Sequence, residues 1–302
     1  MRSLIAAAAL LAAPVHAVAQ DAGEPAAMTE AEADAAYAAW ASDFEARLDR
    51  KTGVVEIAGG DVRLTVPDGY YYLDAEDARA VLEEAWGNPE DDATLGMIFP
   101  AGVSPLDEGM YGVDLTYDRD GYVSDADAGE IDYDDLLRDM QRGTRDENAW
   151  RRENGFGTVE LLGWAEPPSY DADAHTMVWA KTLRFEGSPV DTLNYNVRAL
   201  GRRGVLNANF IADAAQLDAV RAATPDVLSM IAYTDGNRYA DYREGDQVAA
   251  YGLAGLVAGG AVLAKKTGLI GLLILFGKKF GVFVVMGAVA LFGAIRRSLG
   301  GK

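Results

Sequence analysis

The sequence predicts an α+β domain built on a largely antiparallel sheet, placed between a secretory signal and a C-terminal hydrophobic anchor. Three observations lead to this. Segments with period-two alternation come in runs, with few helices between them, which disfavours a doubly wound parallel sheet. All 47 acidic residues lie between Asp21 and Asp246. The acid-free end beyond them is apolar and punctuated by Lys and Arg.

At the N-terminus, Arg2 precedes an apolar run over residues 4–13, which Pro14 ends. Small residues at Ala17 and Ala19 suit cleavage by a signal peptidase, so residues 1–19 read as a signal peptide. The run is too short to span a bilayer. No cysteine occurs anywhere, which excludes thiol nucleophiles, thiolate metal sites and disulfides.

Residues 20–52 hold an N-terminal helix. Thr29 and Glu32 have capping-box spacing, and Ala33, Tyr37, Trp40, Phe44 and Leu48 share one stripe. That stripe suits docking on the domain or on a partner. Residues 53–247 form the acidic domain. Residues 53–67 read as a hairpin turning at Gly59-Gly60-Asp61. A helix follows over residues 74–86, with Asp74 as N-cap and Gly87-Asn88-Pro89 as its stop. Residues 110–118 alternate: Tyr111, Val113, Leu115 and Tyr117 face one way, Asp114, Thr116 and Asp118 the other. A second helix spans residues 132–152, its acidic first turn matched to the helix dipole. Strands are expected over residues 158–164, 175–185, 191–200 and 205–211, the last two joined by Gly201-Arg202-Arg203-Gly204. A helix over residues 213–223 breaks at Pro225 and resumes to Tyr233.

Residues 248–302 form the basic-flanked anchor. No uncharged run reaches the roughly 20 residues of an ordinary span. Lysines can snorkel, however, so the preferred span lies within residues 269–294, flanked by Lys278, Lys279, Arg296 and Arg297. The positive-inside rule puts Arg296 and Arg297 in the cytoplasm and the acidic domain in the periplasm of a bacterial inner membrane. Residues 249–264 then form a second span, a re-entrant piece or an interfacial helix. The soluble part keeps 19 basic against 47 acidic residues, a formal charge of −28. That charge repels nucleic acid, leaving lipid through the tail and an envelope or membrane protein as expected partners.

Several segments together resemble a bacterial family of predicted membrane-anchored proteins described only as a domain of unknown function. They are Trp86-Gly87-Asn88-Pro89, Gly121-Tyr122-Val123-Ser124-Asp125-Ala126-Asp127-Ala128, Gly163-Trp164-Ala165-Glu166-Pro167-Pro168 with Tyr170-Asp171, and Trp179-Ala180-Lys181. Leu193-Asn194-Tyr195-Asn196-Val197-Arg198, Leu200-Gly201-Arg202, Arg238-Tyr239-Ala240-Asp241 and Ala250-Tyr251-Gly252-Leu253-Ala254 complete the series. The resemblance covers about residues 53–266. It implies a membrane anchor and supplies no catalytic residue.

Catalytic chemistry has few carriers. With His16 in the signal, His175 is the mature chain's sole histidine, expected to open a strand, so neither a Ser-His-Asp triad nor a histidine-rich zinc site is available. No phosphate loop occurs. Asp118, Asp120, Asp125 and Asp127 surround Gly121 and offer calcium an oxygen-rich loop, without EF-hand spacing. Strand parity places Asn194, Asn196 and Arg198 on one face, with Asn207 and Asn209 on the matching face of the returning strand. Amides and a guanidinium there suit a carboxylate, sugar or peptide. The competing expectation is the wet side of a half-packed sheet. Trp164, Pro167, Pro168, Tyr170 and Trp179 could add an aromatic groove near that sheet, or fill a core. The leading expectation is a tethered, non-enzymatic binding module without cofactor. The alternative is a carboxylate-based hydrolase or lyase, with or without a divalent ion such as calcium.

Overall fold

The structure is a computed structural model that describes residues 29–259, apart from 89, 91 and 154–156. The signal segment and residues 260–302, with Lys278, Lys279, Arg296 and Arg297, lie outside the described residues. The chain divides into two units, residues 1–44 and residues 45–302.

Helix α1 (Glu30–Arg47) begins in the first unit. Its capping box forms as the spacing predicts: the Glu32 N–H donates to Thr29 Oγ1 (3.3 Å) and the Thr29 N–H to Glu32 Oε2 (2.9 Å). Tyr37, Trp40 and Phe44 lie ring against ring along the predicted stripe, at 5.6 and 5.3 Å between centroids.

The second unit is α+β. The hairpin β1 (Gly53–Ile57) and β2 (Val62–Val66) turns through Gly59 and Gly60, both at positive φ. Strand β3 (Tyr70–Asp74) leads into α2 (Ala75–Arg79), capped by Asp74, which accepts from the Glu76 and Asp77 N–H groups. The helix continues as a wider π turn over Ala80–Ala85. Strands β4 (Thr94–Pro100), β5 (Gly112–Asp118) and β6 (Tyr122–Ser124) precede α3 (Tyr133–Glu153). Asp132 opens α3 by accepting from the Asp134 and Asp135 N–H groups. The meander β7 (Val159–Asp171), β8 (Thr176–Phe185), β9 (Thr192–Leu200) and β10 (Val205–Asp213) follows. Then come α4 (Leu217–Met230), β11 (Ile231–Tyr233), β12 (Val248–Gly252) and α5 (Leu253–Ala258).

Seven strands form one antiparallel sheet in the order β3-β4-β5-β10-β9-β8-β7. A three-stranded sheet, β1-β2-β11, and α4 cover one face of it. Between them lies the main core, with Leu64, Leu115, Leu193, Tyr195, Val197, Phe210 and Val227 buried. On the other face, α3 lays Leu136, Leu137 and Met140 over Leu161, Leu183 and Phe185. There α5 inserts Leu253, Leu256 and Val257 beside Met177 and Trp179.

Four expectations are corrected. Pro225 does not break α4, which runs through it. The ring removes one bond, to the Arg221 carbonyl, and both residues lie on the exposed side, where water can serve that oxygen. Residues 231–233 extend instead of coiling, because Ile231 pairs with Leu64 on β2. Strand β7 is almost twice its expected length, passing Pro167 and Pro168. It is an edge strand, and its ladder shifts register between Glu166 and Ser169, so neither proline needs an N–H there. Finally, the start of the expected anchor belongs to the folded body. Strand β12 pairs in parallel with β6, and α5 is core. No helix among the described residues is long and apolar enough to cross a membrane.

A chain ending at residue 259 should therefore melt cooperatively, and one ending at 247 should melt well below it. Burying each of Leu253, Leu256 and Val257 contributes roughly 1.5–3 kcal/mol. Equal urea midpoints for the two truncations would show that α5 is not part of the core.

Candidate functional site

The centre of the second sheet face is polar, and it is buried. Cross-strand register sets the pattern. Asp114, Asn209, Asn196 and Trp179 form one row across β5, β10, β9 and β8. Thr116, Asn207, Arg198 and Met177 form the next. On the opposite side of the first row, Ile211, Asn194 and Lys181 align. The five residues singled out from strand parity are thus brought together. They are not the wet side of a half-packed sheet: Asn194, Asn196, Arg198, Asn207 and Asn209 are each at most 8 % exposed. Both faces of β9 and β10 are enclosed, a condition that alternation alone does not reveal.

Buried amides must find partners or destabilise the fold by roughly 1–3 kcal/mol each. Here they form a directed chain. Arg198 can only donate, and it donates to Asn196 Oδ1 (3.2 Å). Asn196 Nδ2 then donates to the Asn194 backbone carbonyl (3.0 Å) and Asn194 Oδ1 (2.9 Å). Asn194 Nδ2 donates to Asn209 Oδ1 (3.0 Å). Asn207 is oriented separately by a carboxylate, which can only accept: its Nδ2 donates to Asp118 Oδ2 and to Thr116 Oγ1, both at 2.9 Å. Four buried side-chain atoms on this face remain without a partner: Asn207 Oδ1, Asn209 Nδ2, Trp179 Nε1 and Thr192 Oγ1.

Two cations face this layer. Arg198 lies over the Trp179 ring, 5.0 Å from its centroid. Its other hydrogen bond goes to the Val197 carbonyl at 3.3 Å, and among the described residues no carboxylate reaches it within 4.0 Å. Burial pushes its pKa down to about 10, against the opposing pull of Asp118, Tyr251 and Asp114. Lys181, partly buried opposite Asn194, is pushed down to about 8 by burial first and then by the like charge of Arg198. Ile211 continues the face of β10 one step beyond Asn209, about 7 Å along the strand. It helps line a cavity of about 310 Å³ with Trp86, Met110 and Val190.

The remaining sequence candidates are engaged elsewhere. Trp164 Nε1 donates to the Tyr133 carbonyl (3.2 Å), and its ring packs under α3. The Tyr170 hydroxyl donates to Asp125 Oδ2 (2.8 Å), so the two aromatics form no groove with the asparagines. The four aspartates suggested for calcium have separate duties. Asp118 holds Asn207, Asp120 accepts from the Tyr251 hydroxyl (2.6 Å), and Asp125 holds Tyr170. Asp127 accepts from the first N–H groups of α5, at Leu253 (3.0 Å) and Ala254 (3.2 Å). The described residues contain no group of three or more His, Asp or Glu side chains placed to share an ion. His175 sits in the β7–β8 turn at positive φ, not on a strand, and its ring lies tilted against Tyr239, 4.2 Å between centroids. Of the aromatic candidates only Trp179 joins the asparagines, and Lys181 was missed: its parity on β8 was readable, but its register against β9 was not.

The description "Protein of unknown function (DUF2167)" fits residues 49–289. The chain belongs to that family. No curated protein matches it. Among solved structures, similarity extends to cyanobacterial PsbP (CyanoP) from Synechocystis sp. PCC 6803, with 10 % identity, 62 % of this chain, 92 % of that one and a TM-score of 0.34. It also extends to the Saccharomyces cerevisiae Ran-binding protein Mog1p, with 10 % identity, 65 % and 100 % coverage and a TM-score of 0.30. A point mutant of protein Mog1 gives 10 %, 62 %, 97 % and 0.29. Likeness at that level carries no argument about activity or partner in this DUF2167 chain.

The lowered Lys181 pKa has a measurable consequence. Between about pH 8 and the ordinary lysine range near 10.4, the unfolded chain binds a proton that the folded chain has released. Folding stability should therefore rise with pH across that window. Lys181→Met should abolish this rise while leaving other titrations in place. Urea midpoints at pH 7.5, 8.5 and 9.5 that run parallel for the two proteins would show that Lys181 is solvated.

Proposed function

We propose that this protein is a tethered binding module of the bacterial envelope, and that its ligand site is the polar centre of the seven-stranded sheet. One observation carries the site: an amide layer buried on both sides leaves Asn207 Oδ1, Asn209 Nδ2, Trp179 Nε1 and Thr192 Oγ1 without partners, beside two cations that form no salt bridge among the described residues. A layer that served stability alone would close its hydrogen bonds or be apolar, since buried unmet groups and unpaired charges are costly. Proteins keep such costs where a ligand removes them. Binding fits better than catalysis, because the carboxylates of the layer are occupied as acceptors.

The tether rests on the partition of charge. Forty-seven acids stay on the domain side, while seven basic residues punctuate an acid-free apolar tail. In this reading residues 1–19 direct export, a span lies within residues 269–294, and the domain faces the periplasm. No metal is required; calcium at the aspartate loop is the alternative that a thermal-shift titration with calcium would reveal.

Two measurements test this. The full chain should sediment with membranes, resist carbonate extraction and be digested by protease added to spheroplasts; recovery in the soluble fraction would remove the tether. Native mass spectrometry of protein purified in mild detergent should show an added small-molecule mass. Arg198→Gln should lose it while retaining the wild-type far-UV circular dichroism. An unliganded wild type, or a variant that keeps the mass, would rule out this site.

A further inference from the structure

At one end of the seven-stranded sheet, four segments enclose an apolar cavity of about 310 Å³. Trp86 ends the π turn after α2, residues 105–110 follow β4, residues 188–190 join β8 to β9, and residues 211–213 end β10. Trp86, Met110, Val190 and Ile211 supply the apolar surface, and Val190 is 45 % exposed at the mouth. The same lining carries three carboxylates, Asp107, Glu108 and Asp213, and among the described residues no Lys, Arg or His. The asparagine layer contributes no residue to it, so the cavity stands apart from the site proposed above. From this pairing of apolar space with an acidic lip, we infer that the cavity binds a protonated amine, taking its apolar group inside and leaving the ammonium among the carboxylates.

The walls are tied in place by the chain itself. Trp86 Nε1 donates to the Pro105 carbonyl (2.9 Å), which fixes the indole against the loop. The Ser104 N–H donates to Asp107 Oδ2 (2.8 Å), and Gln216 Nε2 donates to the Gly109 carbonyl. On the other side, Ser188 Oγ donates to the Val190 carbonyl (2.7 Å). These polar groups are met within the chain, so an apolar guest strands none of them. An apolar cavity of about 150 Å³ already admits benzene, so this one has room for a ring or a short aliphatic chain. Charge decides which end stays outside. Glu108 is exposed and forms no hydrogen bond or ion pair among the described residues. Arg184 reaches Asp191, the residue after Val190, and is held there by two bonds of 2.8 and 3.0 Å. It leaves the charge of the lip unneutralised. Exposed carboxylates act through a high dielectric, so each improves amine binding by a factor of only about 1.4 to 5. Burial of the apolar group supplies the remainder. An anion with the same apolar group is repelled by the lip and by the acidic domain as a whole.

The test uses the full chain in mild detergent, equilibrium dialysis against protein-free detergent, and three probes of one shape: benzylamine, benzyl alcohol and benzoate. At neutral pH and low salt, benzylamine should bind at least about threefold more tightly than benzyl alcohol, and benzoate should bind most weakly. Raising the salt to about 0.5 M should shrink the first ratio, because exposed charges are then screened within a few ångströms. Glu108→Gln should weaken benzylamine by a factor of about 1.4 to 5 and leave benzyl alcohol as it is. Glu108→Lys should weaken benzylamine further. Val190→Trp, at the exposed mouth, should fill the entrance and weaken amine and alcohol alike. Each variant is checked by circular dichroism, and both positions are exposed enough to accept the change. Equal affinity of the wild type for amine and alcohol would overturn the inference. So would benzylamine binding that Glu108→Lys and Val190→Trp both leave intact, because the amine would then sit elsewhere.

Discussion

The enclosure of the seven-stranded sheet on both faces is the constraint on which the other features depend. Strand alternation gives β9 and β10 two chemistries: Leu193, Tyr195, Val197, Ala208 and Phe210 on one side, Asn194, Asn196, Arg198, Asn207 and Asn209 on the other. In a half-open sheet the second set would be solvated and ordinary. Because it is buried, every amide must be oriented: Arg198 sets Asn196, Asn194 and Asn209 in turn, and Asp118 sets Asn207. Low local polarity strengthens each link of such a chain and raises the cost of each unmet atom.

The acidic loop before α3 has a mechanical role in this arrangement. Its carboxylates each take up a donor from a different segment: Asn207 on β10, Tyr251 on β12, Tyr170 on β7 and the N-terminal amides of α5. Gly252 is needed at the last junction, since a Cβ there would lie 2.6 Å from Asp127 Oδ2. These contacts bind the segment leading towards the basic tail directly onto the domain. Tyr251 lies close enough to Arg198 to influence its charge, so the docked segment and the polar layer share an electrostatic environment.

Much of the fold was legible because its elements carry local signals. Asp74, Asp132 and the Thr29–Glu32 pair cap where their side-chain chemistry predicts, and Gly59-Gly60 turns the first hairpin. Strands β3 and β4 went unread: Tyr70–Asp74 is too short to show a period, and Thr94–Pro100 is apolar on both faces. Residues 249–258 were misread because an apolar, glycine-rich stretch looks alike in a membrane and in a core. What decides between them is Asp127, more than a hundred residues away. The asparagine face was found from parity, but its burial depends on α3, α5 and register across four strands, none of which a single strand encodes.

The charge distribution sharpens the meaning of that burial. A soluble part with formal charge −28 has carboxylates to spare, and exposed arginines such as Arg184 and Arg221 find them. Arg198 and Lys181 form no salt bridge among the described residues, although placing an acid at Asn196 or Asn194 would bring one to them by a single change of residue type. Exposed charges are screened within about 8 Å at physiological salt, so the acidic exterior adds little field at the layer itself. Inside, an unpaired cation costs several kcal/mol, far more than a surface ion pair returns. An acidic domain that forms no salt bridge to the buried Arg198 guanidinium keeps that charge available to something that arrives from outside.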